Sequence, residues 1–240
     1  MESQLSLNMS ARLLEAVGPA IVRGDYSDRP FPNEAEASEE FGVSRTVIRE
    51  AIKSLTAKGL VETRPRVGTR ILAVRRWNLL DADVMRWIVS APNSSGFLLE
   101  YADLRRGLSP MAAGLAAKSV AEAAMSQIEA ALTDLKQAQA MSEKVSAIRR
   151  FHEAIVEASG NAIFMRLQAT MAVVFDRSTE RTLHAGGVNP DQYVAVVNAV
   201  RARDPNRAEM AMRWLLDDEA GFVGDNTHTE ASPTRQSAAS

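Results

Sequence analysis

The sequence predicts a mainly α protein in two parts: an N-terminal winged helix-turn-helix and a C-terminal all-α antiparallel helical bundle. Three observations carry this. Between Asn33 and Val74, two short amphipathic helical patterns and two β-like runs follow one another in the order helix, helix, hairpin. Beyond Val74 the two-residue period disappears and long stretches of helical period take over. Composition agrees: 46% of residues are apolar, only 5% are aromatic, and Ala and Leu are plentiful.

The elements are justified in order. Residues 8–23 place Leu13, Leu14, Val17 and Ile21 on one helical face, with Pro19 a candidate kink. "GDYSDRPFP" is a turn-rich loop. Asn33 and Glu36 stand at capping-box spacing before "EAEASEEF", and Gly42 closes that helix. Ser44 caps the next one, where Val47, Ile48, Ala51, Ile52 and Leu55 form one apolar stripe, and Gly59 stops it. "LVETR" and "TRILAV", joined by "PRVG", read as a β-hairpin, the wing.

Residues 8–74 are therefore assigned to the winged helix-turn-helix, and 75–95 to a linker with a connecting helix starting near Leu80. Residues 96–222 form the helical domain, with helical patterns at 97–118, 121–141, 143–159, 162–182, 191–203 and 205–222. Residues 223–240 are polar, weakly apolar and expected to be disordered.

Several function classes fall away early. The chain has 240 residues and no cysteine, so disulfides, Cys-based zinc sites and Cys nucleophiles are excluded. No apolar run approaches the roughly 18 residues of a membrane span, and the start "MESQLSLNMSARLLEAV" lacks a signal-peptide pattern. A cytoplasmic protein is expected.

Net charge is −2, but it is unevenly spread. From Ser44 to Arg76 there are nine Lys/Arg against Glu50 and Glu62, a local surplus of +7. Such asymmetry suggests a polyanionic partner for this part of the chain. On a helix begun at Ser44, the residues Arg45, Thr46, Arg49 and Lys53 share the face opposite the apolar stripe. Helix-turn-helix proteins present base-reading residues near the N-terminus of their second helix, and Arg can bridge O6 and N7 of guanine. Arg64 and Arg66 flank the hairpin tip, where Gly68 permits close backbone approach. The competing view is a merely solvated basic face, with Glu50 pairing Lys53.

At this point the residues resemble a family. "FGVSRTVIREAIKSLTAKGLVETRPRVGTRI" is similar to the winged-helix motif of GntR-type bacterial transcription regulators. The resemblance implies operator contacts by Arg45, Thr46, Arg49 and the wing around Arg66–Gly68. Where the family carries a DNA-contacting Arg before its second helix, "PNEA" puts Ala35 here. "LRRGLSPMAAGLAA", "FHEAIVEASGNAIF" and "VNAVRARDPNRAEMAMRWL" resemble the ligand-sensing FCD domain of the FadR subgroup. "RRWNLLDADVMRW" is similar to regulators of sugar-acid catabolism, galactonate-responsive repressors among them.

Many FCD domains hold a divalent metal with an Asp and three His, donors suited to such cations. The resemblance puts these positions at Ile148, His152, Tyr193 and Trp214, so one ligand remains and no metal or other cofactor is expected. His184 and His228 are badly placed to substitute. His152 lies on a stripe with Val145, Ile148 and Ile155; it is either an ordinary core histidine or a polar group facing a ligand. Tyr193 and Trp214 either reshape that cavity or fill the metal's volume.

Arg105 sits at the edge of the stripe Phe97, Tyr101, Leu104, Leu108, Met111 and Leu115, where an inward Arg needs an anion. A ligand carboxylate would suit its planar fork, and the resemblance places a ligand-facing Arg there. The competing view is a structural ion pair with Glu100, Asp103 or an acid on another helix. Ser109 replaces a customary Glu partner.

The functional expectation is a homodimeric repressor of a near-palindromic double-stranded operator, modulated by a small carboxylate effector such as a sugar acid. The alternatives are an architectural DNA-binding dimer without effector and a small-molecule enzyme. The enzyme lacks any nucleophile–base set, phosphate loop or metal set in the sequence.

Overall fold

The computed structural model describes residues 2–64 and 68–225. It divides into two compact units, Met1–Ser94 and Ser95–Ser240.

The first unit contains α1 (Glu2–Arg23), α2 (Glu34–Phe41), α3 (Arg45–Ala57), the antiparallel pair β1 (Val61–Arg64) and β2 (Gly68–Ile71), a 3-10 turn at Val74–Arg76, and α4 (Ala82–Ser90). This is the winged helix-turn-helix order. α1 runs unbroken through Pro19. At the start of α2, Asn33 Oδ1 accepts from the Ala35 and Glu36 amides, and the Glu36 carboxylate accepts from the Asn33 amide at 2.9 Å. That reciprocal capping box satisfies amides that a helix start leaves without partners.

Leu13, Val17 and Ile21 of α1 are buried, as are Val47, Ile48, Ala51, Ile52 and Leu55 of α3. The period-3.6 stripe read from the sequence is therefore the core face of α3. Gly59 turns the chain from α3 into β1 with φ of +75°, a conformation that favours glycine. A Cβ there would also lie 2.4 Å from the Arg76 carbonyl oxygen. The hairpin is in register from Val61 opposite Ile71 to Arg64 opposite Gly68.

α4 belongs to this unit rather than to a free linker. Trp87 packs where a Cβ on Gly18 would meet its ring at 2.4 Å, and Arg86 grips Glu15 of α1 through two hydrogen bonds of 2.9 and 2.7 Å. Lys58, at the end of α3, holds Asp81 and Asp83 at 2.8 Å with its side chain only 12% exposed. One member of the basic block is thus an internal clamp, turned away from solvent.

The second unit is helical throughout its described length: α5 (Ser95–Ser119), α6 (Glu122–Gln137), α7 (Met141–Ala158), α8 (Ala162–Thr170), α9 (Ala172–His184), α10 (Pro190–Arg201) and α11 (Pro205–Asp225). The helix expected over 162–182 is two helices, broken at Met171. No Gly or Pro marks the break. Thr170 Oγ1 instead donates back to the Arg166 carbonyl at 2.9 Å, a side-chain bond that bends helices.

α5 and α11 meet through small residues. Ala112, Ala113, Ala116 and Ala117 are buried, and a Cβ on Gly114 would strike Glu209. The core stripe of α5 is consequently this alanine row with Leu98 and Tyr101. Met111, placed in the stripe by the sequence reading, is 52% exposed. α11 continues to Asp225, so the first three residues of the expected tail are helical, and residues 226–240 lie outside the described residues. No helix among the described residues is long and apolar enough to cross a membrane.

Candidate nucleic-acid interface and ligand compartment

On the first unit, Ser44 Oγ accepts from the Val47 amide at 3.4 Å and so caps α3. Arg45, Thr46, Arg49 and Lys53 all lie on its exposed face, because the apolar stripe consumes the opposite one. Arg49 is engaged by α2: its Nη2 and Nε donate to the Glu34 carboxylate at 2.9 and 3.3 Å. This bond holds the Glu34 carboxyl below its ordinary range. Lys53 pairs with Glu50 at 2.8 Å, as one reading of the sequence had it. Arg45 makes no ion pair among the described residues. All these side chains are solvent-screened, so the pairs are weak and exchangeable.

On the hairpin, Arg64 Nε lies 3.0 Å from Glu62, which also pairs with Arg70. Gly68 begins β2 with φ of +95°, and a Cβ there would meet nothing within 4 Å. Arg66 lies outside the described residues. Arg70, Arg75 and Arg76, which the sequence reading counted as charge but left out of the site, line a hollow at the base of the hairpin with Arg64 and Glu62. Their clustering depends on the 3-10 turn, which no local signal announced.

In the second unit, Arg105 of α5 is a structural hub. Its side chain is 11% exposed, and one amino group donates to Glu219 of α11 at 3.0 Å. The other lies 3.1 Å from His152 Nε2. Because a guanidinium can only donate, Nε2 accepts and the proton of the imidazole sits on Nδ1. Burial, then the charge of Arg105, pushes the His152 pKa well below the usual histidine value, which keeps the ring neutral. Tyr193 of α10 donates its hydroxyl to the other Glu219 oxygen at 2.6 Å. Burial, with Glu219 nearby, drives the Tyr193 pKa well up, so it stays a phenol. Phe175 of α9 lies under the guanidinium, 4.7 Å from ring centroid to Cζ, a cation–π contact that favours the charged form.

The structure thus brings Arg105, His152 and Tyr193 together. Trp214 does not join them: it is 58% exposed, while its neighbour Leu215 is fully buried. The reading placed the inward position of α11 one residue early, and one residue on a helix is about 100° of rotation. Glu219 was not singled out. Its signal is nonetheless present, since it follows the buried Met212, Leu215 and Leu216 at helical spacing.

The FCD resemblance implies a metal, and these residues do not fit one. Ile148, one turn before His152, is apolar and fully buried, Trp214 is exposed, and the Tyr193 hydroxyl is committed to Glu219. Among the described residues, no group of three or more His, Asp or Glu is placed to hold an ion. His184 ends α9 exposed to solvent, and His228 lies outside the described residues.

Beside the hub is a compartment with about 60 Å³ of room, bounded by α5, α7, α8, α9 and α11. Leu104, Leu108, Ile155, Phe164, Leu167 and Met171 contribute apolar wall, while Tyr101, Arg105, Ser109, His152 and Gln168 contribute polar groups. Burial raises the Tyr101 pKa to about 12, so it faces this space as a donor.

Residues 12–71 match the bacterial regulatory proteins of the gntR family, and residues 100–218 match the FCD domain. The HTH-type transcriptional regulator YieP of Escherichia coli K12 is 31% identical over 213 residues, which are 87% of this chain and 93% of that one. The chain belongs to the GntR family and carries an FCD domain. The galactonate operon transcriptional repressor of Escherichia coli K12 is likewise 31% identical, over 88% of this chain and 95% of its own length. Among solved structures, a GntR-family regulator from Pseudomonas syringae pv. tomato shares the fold, with a TM-score of 0.51 at 17% identity, covering 92% of this chain and 87% of that one. This GntR protein is a transcription regulator and not an enzyme.

Proposed function

We propose that the chain acts in the cytoplasm as a homodimeric repressor of a near-palindromic operator, and that a small organic acid bound beside Arg105 releases it. The observation that carries the DNA half is the exposed row Arg45, Thr46, Arg49 and Lys53, which begins at the capped N-terminus of α3. A helix entering the major groove presents its base-reading groups at that end, and the cations beside the hairpin supply phosphate contacts. The dimer follows from the two-fold symmetry such operators share with their proteins.

Arg49 reaches DNA by leaving Glu34. The exchange is cheap because both side chains are well exposed, at 61% and 41%. Ser44 contributes by fixing where the helix begins. The effector half rests on a buried guanidinium that borders an apolar compartment, the seat an acid requires. Sugar acids are among the candidates, because a relative is named for the galactonate operon. Release then amounts to a shift between dimer states, and needs differential affinity of the effector for the two.

The test is titration of a labelled duplex from the chain's own upstream region at fixed salt, with and without candidate acids. The reading expects specific binding that Arg49→Ala weakens and that an acid reverses. Binding no tighter than to random duplex would refute it. An architectural dimer would bind but would ignore every acid.

A further inference from the structure

We propose that Glu219 occupies the effector's anion seat on Arg105, and that the effector is a compact monocarboxylic acid with an apolar body which enters by displacing it. This rests on the effector reading above and narrows it.

Charge balance is the first argument. Arg105 is the one cation among the residues lining the compartment, and Glu219 already neutralises it at 3.0 Å with its own side chain 8% exposed. The other groups facing the hub add no positive charge: His152 from α7 is held neutral, and Tyr101 and Tyr193 from α5 and α10 are phenols. Asp176 of α9 and Arg149 of α7 lie further off and pair with each other at 2.9 Å. A second carboxylate in this space would set two buried anions against one cation, an arrangement that burial makes costly. Exchange avoids it.

Among the described residues the Glu219 carboxylate is held by two groups, Arg105 on one oxygen and the Tyr193 hydroxyl on the other. It lies far along α11, fourteen residues beyond Pro205.

Size and polarity define the incoming acid. The compartment is narrow, with about 60 Å³ of room, and favours a compact ligand over a bulky one. The walls are mostly Leu, Ile, Phe and Met side chains, and beyond Arg105 and His152 only Tyr101, Ser109 and Gln168 of the described lining can meet a hydroxyl. A four-carbon acid suits both features; a six-carbon sugar acid is larger and carries more hydroxyls than these groups can match.

The experiment titrates the full chain with butyrate, butyramide and galactonate, following heat and the thermal midpoint, since a ligand of the folded state raises that midpoint. Butyrate should bind, with butyramide and galactonate weaker. Glu219→Gln should tighten butyrate at least tenfold, because the seat on Arg105 is then vacant. Tyr193→Phe, which removes only the hydroxyl that steadies Glu219, should tighten it severalfold and serves if Glu219→Gln fails to fold.

Unchanged or weaker butyrate binding in the folded variants overturns the exchange. Galactonate binding more tightly than butyrate, or no acid binding at all, overturns the ligand class. Operator binding read in the same samples separates the two levels. A chain released from DNA by galactonate but blind to butyrate remains the regulator proposed above, with this inference lost.

Discussion

Two Arg–carboxylate pairs in this molecule close at nearly the same distance and have opposite consequences. Arg49–Glu34 on α3 and α2 closes at 2.9 Å with side chains 61% and 41% exposed; Arg105–Glu219 closes at 3.0 Å with side chains 11% and 8% exposed. Water screens the first pair, so either partner can leave for another anion or cation at little cost. The second pair has lost its hydration, so removing one partner strands the other. The exposed pair suits a surface that must trade an acid for a phosphate or base. The buried pair suits a compartment that admits only another carboxylate.

The largest expected effect sharpens that contrast. Arg105→Ala leaves Glu219 buried beside Tyr193 without its cation and should destabilise the second unit by about 3–5 kcal/mol, measured by denaturant unfolding. Any variant that still folds should bind operator yet fail to respond to acid. A small stability loss together with a normal response would break the comparison.

Arg49→Ala should reverse the pattern. Operator affinity should fall about tenfold or more at fixed salt, while the thermal midpoint hardly moves. Equal loss of both would mean that Arg49 is structural.

Titration gives a third contrast. His152 has a folded-state pKa far below the usual histidine value. Below about pH 6.5 the unfolded chain therefore takes up a proton that the folded chain refuses. Stability of the second unit should drop as pH falls from 6.5 towards 5, by up to about 1.4 kcal/mol per pH unit. His152→Gln should flatten that slope. Glu34 acts at lower pH: Arg49 holds its pKa below the usual carboxylate value, so its contribution is present above that value and is lost as pH falls through the lowered one.

The smallest effect is expected at Trp214. Because its side chain is exposed, Trp214→Ala should leave stability within about 0.5 kcal/mol and acid binding unchanged. A clear loss of acid binding would restore it to the compartment.

What could be read from the sequence follows the range of the forces involved. The stripe Val47–Leu55, the capping box at Asn33 and the glycine after α3 are local, and each stands in the structure as its spacing implied. The Met171 break falls within a good helical period with no Gly or Pro beside it, and periodicity cannot see it. Lys58 was counted in the basic block, and its role as a clamp was hidden because its partners, Asp81 and Asp83, lie more than twenty residues away. Arg105 was legible as an inward cation, and a structural pair with an acid on another helix was one of its two readings. Glu219 stayed hidden because an acid in a helix reads by default as solvated, and only its place on the buried stripe of α11 says otherwise. Trp214 shows how little error is tolerated, since one residue of register separates the core from solvent.

The most direct test of the central claim is the affinity of the purified chain for a duplex from its own upstream region, compared with Arg49→Ala at one modest salt concentration. The account predicts tight, sequence-dependent binding by the parent chain and about tenfold or greater weakening in the variant. Equal affinity of the two, or a parent chain that cannot tell this duplex from a scrambled one, would contradict it.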